Sequence, residues 1–230
     1  MIKEAVILAG GFGTRLKDTI PDLPKCLAPV RNKPFISYVI DYLLNSGVNR
    51  IVFSLYYKSE LVIEYLKNHW NHIDYDYVVE RQPLGTGGAL KLALNNVKSD
   101  NVFLINGDSF FNIELNKLLD FHVFNGAEFT IALKSMTDVS RYGTVEIDSL
   151  GKVIAFNEKN SSLTEGLING GIYVVNSNCF KLNKLESVFS LESDYLMTNT
   201  TQKKIFGMIF EDYFIDIGVP ADYQKANNEL

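Results

Sequence analysis

Cysteine, long apolar runs and any excess of positive charge are scarce in this chain of 230 residues. The two cysteines, Cys26 and Cys179, lie far apart and make no disulfide framework, so a reducing compartment suits them. No apolar run approaches the roughly 20 residues a bilayer-spanning helix needs. The N-terminal stretch has no cationic leader followed by an apolar segment and a small-residue cleavage site. The expected location is therefore the cytoplasm, with no membrane insertion. The net charge of −5 argues against nucleic acid as a partner, although a local cationic pocket is compatible with it. No internal repeat, low-complexity tract or linker divides the chain. With 47% hydrophobic and 21% charged residues, residues 1–230 are expected to form a single domain with a sizeable core.

What the chain does have is concentrated near its start, in Ala5-Val6-Ile7-Leu8-Ala9-Gly10-Gly11-Phe12-Gly13-Thr14-Arg15-Leu16. A short apolar run ending at glycine reads as a strand buried on both faces, the centre of a parallel sheet. Three glycines in four positions let backbone N–H groups approach a ligand with no Cβ in the way. Arg15 follows two residues after the last of them, and such a donor set suits a polyphosphate. The turn is neither of the two best-known phosphate loops. Leu16 stands where G-x-G-x-x-G needs its third glycine, and G-x-x-x-x-G-K-[ST] is absent. A tight turn with no ligand is the plain alternative.

Lys17 to Lys33 reads as an irregular loop with prolines at 21, 24 and 29, and loops of that length are often functional. Pro34 opens a helix with an apolar stripe from Phe35 to Leu44, ended by Gly47. A strand over Arg50 to Tyr57 follows, then a helix capped by Ser59, then a strand over Ile73 to Val79. Glu80-Arg81-Gln82-Pro83-Leu84-Gly85-Thr86-Gly87-Gly88-Ala89 leads into a helix to about Val97, and Val102 to Ile105 is a strand ending in Asn106-Gly107-Asp108. This alternation predicts an α/β fold with a doubly wound, mostly parallel, Rossmann-like sheet. Ligands of such sheets bind beyond the carboxyl ends of the strands, which places Gly10, Gly85 and Asp108 on one rim. The second half is richer in strands: Phe129 to Leu133, Gly143 to Ile147, Val153 to Phe156, Gly171 to Val175 and Ile205 to Phe210. Asp148 to Gly151 reads as a hairpin turn, and Pro220 to Asn228 as a closing helix. These strands are read as a lobe grafted on the same sheet. Ser187 to Gln202 shows no assignable period. Lys91, Lys98, Lys117 and Lys184 read as solvated faces.

Each chemically suggestive residue also has a plain structural reading. Asp108 at a strand end suits Mg²⁺, a hard cation that takes oxygen donors, or it caps the following loop. Asp216 stands between two isoleucines, where an unpaired carboxylate is costly. Glu158-Lys159 reads as an exposed charge pair and Asn169 as a turn residue. Cys26 beside Lys25 is either a reactive thiol or a small buried residue.

Gly10 to Leu16, followed by Leu23-Pro24-Lys25, resembles the signature of the sugar-1-phosphate nucleotidyltransferases, and the likeness extends over nearly the whole chain. Cys26 departs from it, since a second proline more often follows the lysine. The resemblance implies the nucleotide-diphospho-sugar transferase fold, with residues 1–110 mainly binding nucleotide and residues 111–230 mainly binding sugar phosphate. It implies nucleotide contacts from Leu8, Gly10, Gly11, Gly13, Thr14, Arg15, Glu80, Gly85 and Thr86. Arg15, Lys25 and Asp108 become catalytic, and Asp108 and Asp216 become the ligands of Mg²⁺. It assigns Tyr142, Gly143, Glu158, Lys159 and Asn169 to the sugar phosphate, with Lys159 on the phosphate.

The family sets its nucleobase against Glu80 and the glycines after Leu84. An ionised carboxylate only accepts hydrogen bonds. Guanine offers two adjacent donors, N1–H and the N2 amino group, whereas uracil and thymine offer one donor between acceptors. GTP is therefore the expected nucleotide, unless Glu80 merely pairs with Arg81 or Arg50. Within the family, Arg-Tyr-Gly-Thr-Val, Leu-Ile-Asn-Gly-Gly-Ile-Tyr and Asp-Tyr-Phe-Ile-Asp-Ile-Gly-Val-Pro most resemble the branch acting on D-glycero-α-D-manno-heptose 1-phosphate. Enzymes that act on mannose 1-phosphate with GTP, or on N-acetylmuramate 1-phosphate with UTP, are the alternatives. A catalytically silent sugar-nucleotide sensor on the same fold is another. A C-terminal repeat domain of the kind some relatives carry is not expected, and the oligomeric state is open, a homodimer included.

Overall fold

The computed structural model describes residues 3–16, 19–157 and 164–230. Glu158 and Lys159, two of the expected sugar-phosphate residues, lie outside the described residues. Strand β1 (Glu4–Leu8) leads into the glycine turn, and β2 (Pro29–Val30) and β3 (Lys33–Pro34) form a short ribbon beyond it. Helix α1 (Phe35–Asn45), β4 (Arg50–Leu55), α2 (Ser59–His69), β5 (Asp74–Val79), α3 (Gly85–Ala93) and β6 (Asn101–Asn106) then alternate. The second half continues with β7 (Ser109–Phe111), α4 (Leu115–Phe124), β8 (Phe129–Met136), β9 (Thr144–Ile147), β10 (Val153–Asn157), β11 (Gly166–Asn176) and α5 (Ser177–Leu182). A π-helical turn over Leu191–Leu196 runs into α6 (Met197–Asn199), before β12 (Ile205–Phe210), β13 (Phe214–Asp216) and α7 (Pro220–Glu229).

Strands β6, β1, β4 and β5 are parallel neighbours, the architecture expected of the first half. Antiparallel β11 joins β6 to β8 and β9, and β12 extends the sheet alongside β8 in parallel. The strand-rich lobe therefore grows from the same nine-stranded sheet. Period-two alternation splits β1 between two cores. Ala5 and Ile7 pack with α1 and α2 on one face, and Val6 packs with α3 and the π-helical turn on the other. All three are fully buried, as a strand sandwiched between helix layers must be. The register sets Leu8 beside Ser54 and Asn106, and Leu55 beside Val79. The segments after all four strand ends thus emerge on one rim.

Several local expectations need correcting. The long loop after the glycine turn contains two 3₁₀ turns, Thr14–Leu16 and Lys25–Leu27, besides the β2–β3 ribbon. Ser59 does not cap α2: Lys58 takes the cap position in the left-handed region, and no side chain caps the helix. Strand β4 stops at Leu55, which frees Tyr56 and Tyr57 to face the rim. Strand β11 begins five residues before Gly171, so Asn169 lies within a strand. The turn at Asp148 is as expected, with Asp148 Oδ1 accepting from the N–H groups of Leu150 and Lys152. Lys91 is not simply solvated, since its Nζ donates to the carbonyls of Leu185 and Glu186.

Residues 185–192 cross over the start of α3. The Phe189 carbonyl accepts from the N–H groups of Gly87 (3.1 Å) and Gly88 (3.4 Å), and Phe189 N–H donates to the Leu84 carbonyl (3.0 Å). Thr86 Oγ1 accepts from Leu191 N–H at 2.8 Å. The glycines serve this crossing. A Cβ on Gly88 would lie 2.4 Å from the Ser187 carbonyl oxygen and 2.8 Å from Leu84 Cβ, and one on Gly87 would penetrate the Phe189 ring. Gly11, by contrast, has nothing within 4 Å of its added Cβ. Gly88→Ala should therefore destabilise the chain by about 1–3 kcal/mol, the usual cost of overpacking, while Gly11→Ala should leave stability nearly unchanged. Urea denaturation of both variants checks this, and equal midpoints would contradict it.

Candidate active site

The rim carries a cavity of about 280 Å³ lined by Leu8, Gly10, Gly11, Phe12, Tyr56, Glu80, Pro83, Gly85, Thr86, Ala89, Asn106 and Asp108. Seven of the residues expected from sequence therefore meet in one cleft. Gly13 does not line it. Its φ of +61° turns the chain into the Thr14–Leu16 segment, and an added Cβ would lie 3.1 Å from Lys25 Cβ. Arg15 is exposed on that segment.

Glu80 sits directly beyond β5 and is buried. Its Oε2 accepts from Leu84 N–H at 2.9 Å, while Oε1 points toward Gly10, 3.0 Å from where a Cβ there would stand. Burial pushes the Glu80 carboxyl up, and the Leu84 bond only partly offsets this. The surface-pair alternative fails. Arg50 is engaged by Glu4 at 2.7 Å, with Asp74 and Asp76 further out, and Glu80 has no ion pair among the described residues. Thr86 lines the cavity, but its hydroxyl already donates to Glu192 Oε2 at 2.7 Å.

The two aspartates are brought together by a ribbon of two very short strands. Strands β7 and β13 pair antiparallel with Asp216 opposite Ser109, and Ile217 N–H donates to the Asp108 carbonyl at 3.0 Å. Lys25, from the second 3₁₀ turn, reaches between them, with Nζ 2.6 Å from Asp108 Oδ2 and 3.2 Å from Asp216 Oδ1. Gly218 N–H donates to Asp216 Oδ1 at 2.7 Å. Burial alone would pull the Lys25 ammonium down, but the two carboxylates outweigh it and hold the pKa above its ordinary value. Burial and the neighbouring Asp108 charge push the Asp216 carboxyl up, against Lys25 and the Gly218 bond.

Two carboxylates facing one ammonium carry a net negative charge, which favours a further cation beside them. Mg²⁺ is usually held by one or two carboxylates together with substrate phosphates, so this pair fits it. Among the described residues no cluster of three or more His, Cys, Asp or Glu forms a complete protein cage.

A second cavity, of about 520 Å³, adjoins the strand-rich lobe and is lined by Gly143, Val145, Phe156, Asn157, Asn169, Ser190, Glu192, Ser193 and Met197. Gly143 and Asn169, which the family resemblance assigns to the sugar phosphate, are part of that lining. Asn169 Nδ2 donates to the Tyr173 hydroxyl at 2.6 Å and its Oδ1 accepts from Gly171 N–H at 3.0 Å. Tyr142 is half-buried, and burial, then the Asp216 charge, raise its pKa.

Sequence reasoning missed the aromatic wall, in which Phe12 meets Tyr56 edge-on at 5.4 Å and Tyr57 at 5.7 Å. The available signal was the Tyr56-Tyr57 pair directly after a parallel strand. It also missed Glu192, whose segment has no readable period.

An α/β fold with a large, mostly parallel central sheet is that of nucleotide-diphospho-sugar transferases. The Nucleotidyl transferase family profile matches residues 4–230, and the chain belongs to that family. It is 44% identical over 227 residues to the D-glycero-alpha-D-manno-heptose 1-phosphate guanylyltransferase of Aneurinibacillus thermoaerophilus, covering 99% of this chain and 98% of that one. The enzyme of the same name from Campylobacter jejuni is also 44% identical, over 96% of each chain. The crystal structure of HddC from Yersinia pseudotuberculosis complexed with GMP-PN superposes with a TM-score of 0.88 at 34% identity, covering 99% of both chains.

Cys26 is buried, and burial pushes its thiol up to about 12, which resolves its two readings in favour of an inert core residue. Alkylation of the native protein at pH 8, read by peptide mass spectrometry, should leave Cys26 unmodified until denaturant is added. Rapid labelling of the folded chain would contradict its burial.

Proposed function

We propose that this chain transfers a GMP unit from GTP to D-glycero-α-D-manno-heptose 1-phosphate, giving GDP-heptose and pyrophosphate for a bacterial surface polysaccharide. The reading rests above all on Glu80, a buried carboxylate whose Oε2 accepts from Leu84 N–H and whose Oε1 is turned toward Gly10 and the cavity, with no ion pair among the described residues. The two relatives of 44% identity, named for this reaction, support the choice of sugar. The proposed site of action is the cytoplasm. Among the described residues no helix is long and apolar enough to cross a membrane.

An oxygen of the sugar phosphate attacks the α-phosphorus of GTP, and the bond to the bridging β-phosphate oxygen breaks. The nucleophile is already ionised, so positioning and charge neutralisation do the work, and no strong general base is required. Arg15 holds the triphosphate and the leaving pyrophosphate. Leu8, Gly10, Gly11, Gly13, Thr14, Gly85 and Thr86 shape the nucleotide site. Lys25 places its ammonium near the α-phosphate, and Lys159 orients the attacking phosphate. Asp108 and Asp216 hold Mg²⁺, which supplies further charge neutralisation at the reacting phosphates when bound. Tyr142, Gly143, Glu158 and Asn169 bind the sugar. Residues 1–110 thus serve mainly the nucleotide, and residues 111–230 mainly the sugar phosphate.

Asp108→Ala and Asp216→Ala should each lower kcat at least about a hundredfold with the fold intact, because charge stabilisation counts most at the reacting phosphorus. Steady-state turnover at saturating Mg²⁺, alongside circular dichroism, checks this. Near-normal turnover of either variant would remove that residue from the metal pair.

Glu80→Gln tests the base. The amide oxygen must stay on Leu84 N–H, so the NH₂ group takes the Oε1 position and faces guanine's donors. The mismatch should cost about 1.5–3 kcal/mol, a loss of roughly ten- to a hundredfold in kcat/KM for GTP. Inosine triphosphate lacks the N2 amino group. The wild type should use it less well than GTP, and Glu80→Gln should narrow the gap. If the wild type uses the two alike, or prefers UTP, Glu80 does not read guanine.

A further inference from the structure

Glu192 stands at the boundary of the two cavities, in the first turn of the π-helical segment, and none of the roles above uses it. Its Oε2 is fixed by the Thr86 hydroxyl at 2.7 Å and the Ser190 hydroxyl at 3.2 Å. Among the described residues, its Oε1 has only the Tyr173 hydroxyl, at the limiting distance of 3.5 Å. That hydroxyl is also the acceptor for Asn169 Nδ2, at 2.6 Å. Glu192 is half-buried and shares the wall of the larger cavity with Asn169, Ser193 and Ser190 on its polar side and Phe156 and Met197 on its apolar side.

We propose that Glu192 is a specificity-determining residue of the sugar subsite, where Oε1 accepts a hydrogen bond from a hydroxyl of the sugar 1-phosphate. This rests on the functional reading above. An ionised carboxylate is an acceptor with no donor of its own, and a sugar ring is rich in hydroxyl donors beside apolar C–H faces. The cavity offers both halves of that match: a held carboxylate with one open oxygen, and Phe156 and Met197 for the C–H faces. Thr86 belongs to the lining of the nucleotide cavity, so the same bond that fixes Oε2 sets the sugar-reading oxygen at a defined distance from the nucleotide. The bond from a neutral hydroxyl to a charged acceptor is among the stronger kinds, so a sugar lacking that hydroxyl is strongly disfavoured.

The test is steady-state kinetics of the full chain with GTP and D-glycero-α-D-manno-heptose 1-phosphate, then with the monodeoxy forms of that sugar phosphate. Glu192→Ala should raise KM for the sugar phosphate at least about tenfold, with KM for GTP changed by less than about twofold. Glu192→Gln should show a smaller rise, because its NH₂ can donate to the same hydroxyl. The wild type should penalise one monodeoxy sugar phosphate at least about tenfold, and Glu192→Ala should lose that penalty alone. If Glu192 were only a tie to Thr86, every monodeoxy form would keep its wild-type ranking in Glu192→Ala. That result overturns the proposal, as does an unchanged sugar KM in both Glu192 variants. A wild type that turns over no sugar 1-phosphate with any nucleoside triphosphate overturns the functional reading itself.

Discussion

The ammonium of Lys25 lies buried between Asp108 and Asp216, and the rim is assembled around it. Each group comes from a different part of the chain: a 3₁₀ turn after the glycine loop, the end of β6, and the last short strand. Only the lysine is buried, since the Asp108 side chain is 40% exposed and that of Asp216 25%, so water screens the pairs and loss of one carboxylate leaves the ammonium with the other. The ion pairs thus fix how the three segments meet at the rim more than they stabilise the fold. The local backbone is shaped to suit. Gly13 leaves room for the stem of Lys25, and Gly218 avoids both the Asp216 carboxylate and the Lys25 ammonium, which a Cβ would approach to 2.9 and 3.1 Å.

The two halves of the chain interlock at a second place. Residues 185–192, from the second half, cover the start of α3, and the first-turn N–H groups of that helix go to the Phe189 carbonyl. Lys91 reaches the same segment from further along α3. The cavity of about 280 Å³ is thus walled by residues up to Asp108 but braced by residues 185–192. The cavity of about 520 Å³ begins where that brace ends, at Ser190 and Glu192. The hydrogen bond from Thr86 to Glu192 joins the edges of the two cavities.

Much of this was legible in the sequence where the signal was local. Strand β1, the glycine turn, the helix after Pro34 and the rim position of Gly85 and Asp108 follow from apolar runs and strand–helix alternation. The partnering of Asp108 with Asp216 was not legible from the residues themselves. It depends on β7 and β13, which are three residues each and too short to show a period. Gly87 and Gly88 were read as making way for a base, whereas they make way for Phe189 and Ser187. A glycine reports that something comes close, not what. Ser59 has the chemistry of a cap, but Lys58 in the left-handed region turns the chain before Ser59 can serve. The segment from Ser187 to Gln202 hid a π-helical turn, whose wider winding matches neither the helical nor the strand period.

If Lys25 holds the two carboxylates together in the free protein, it also competes with any metal ion for them. The most direct measurement is Mn²⁺ binding, followed by electron paramagnetic resonance without nucleotide, in the wild type, Lys25→Ala and Asp216→Asn. Removing the ammonium should tighten Mn²⁺ binding by roughly tenfold, about 1.4 kcal/mol, while Asp216→Asn should weaken it. Equal affinities in the wild type and Lys25→Ala would contradict the account, because they would place the metal somewhere other than the carboxylates that Lys25 bridges.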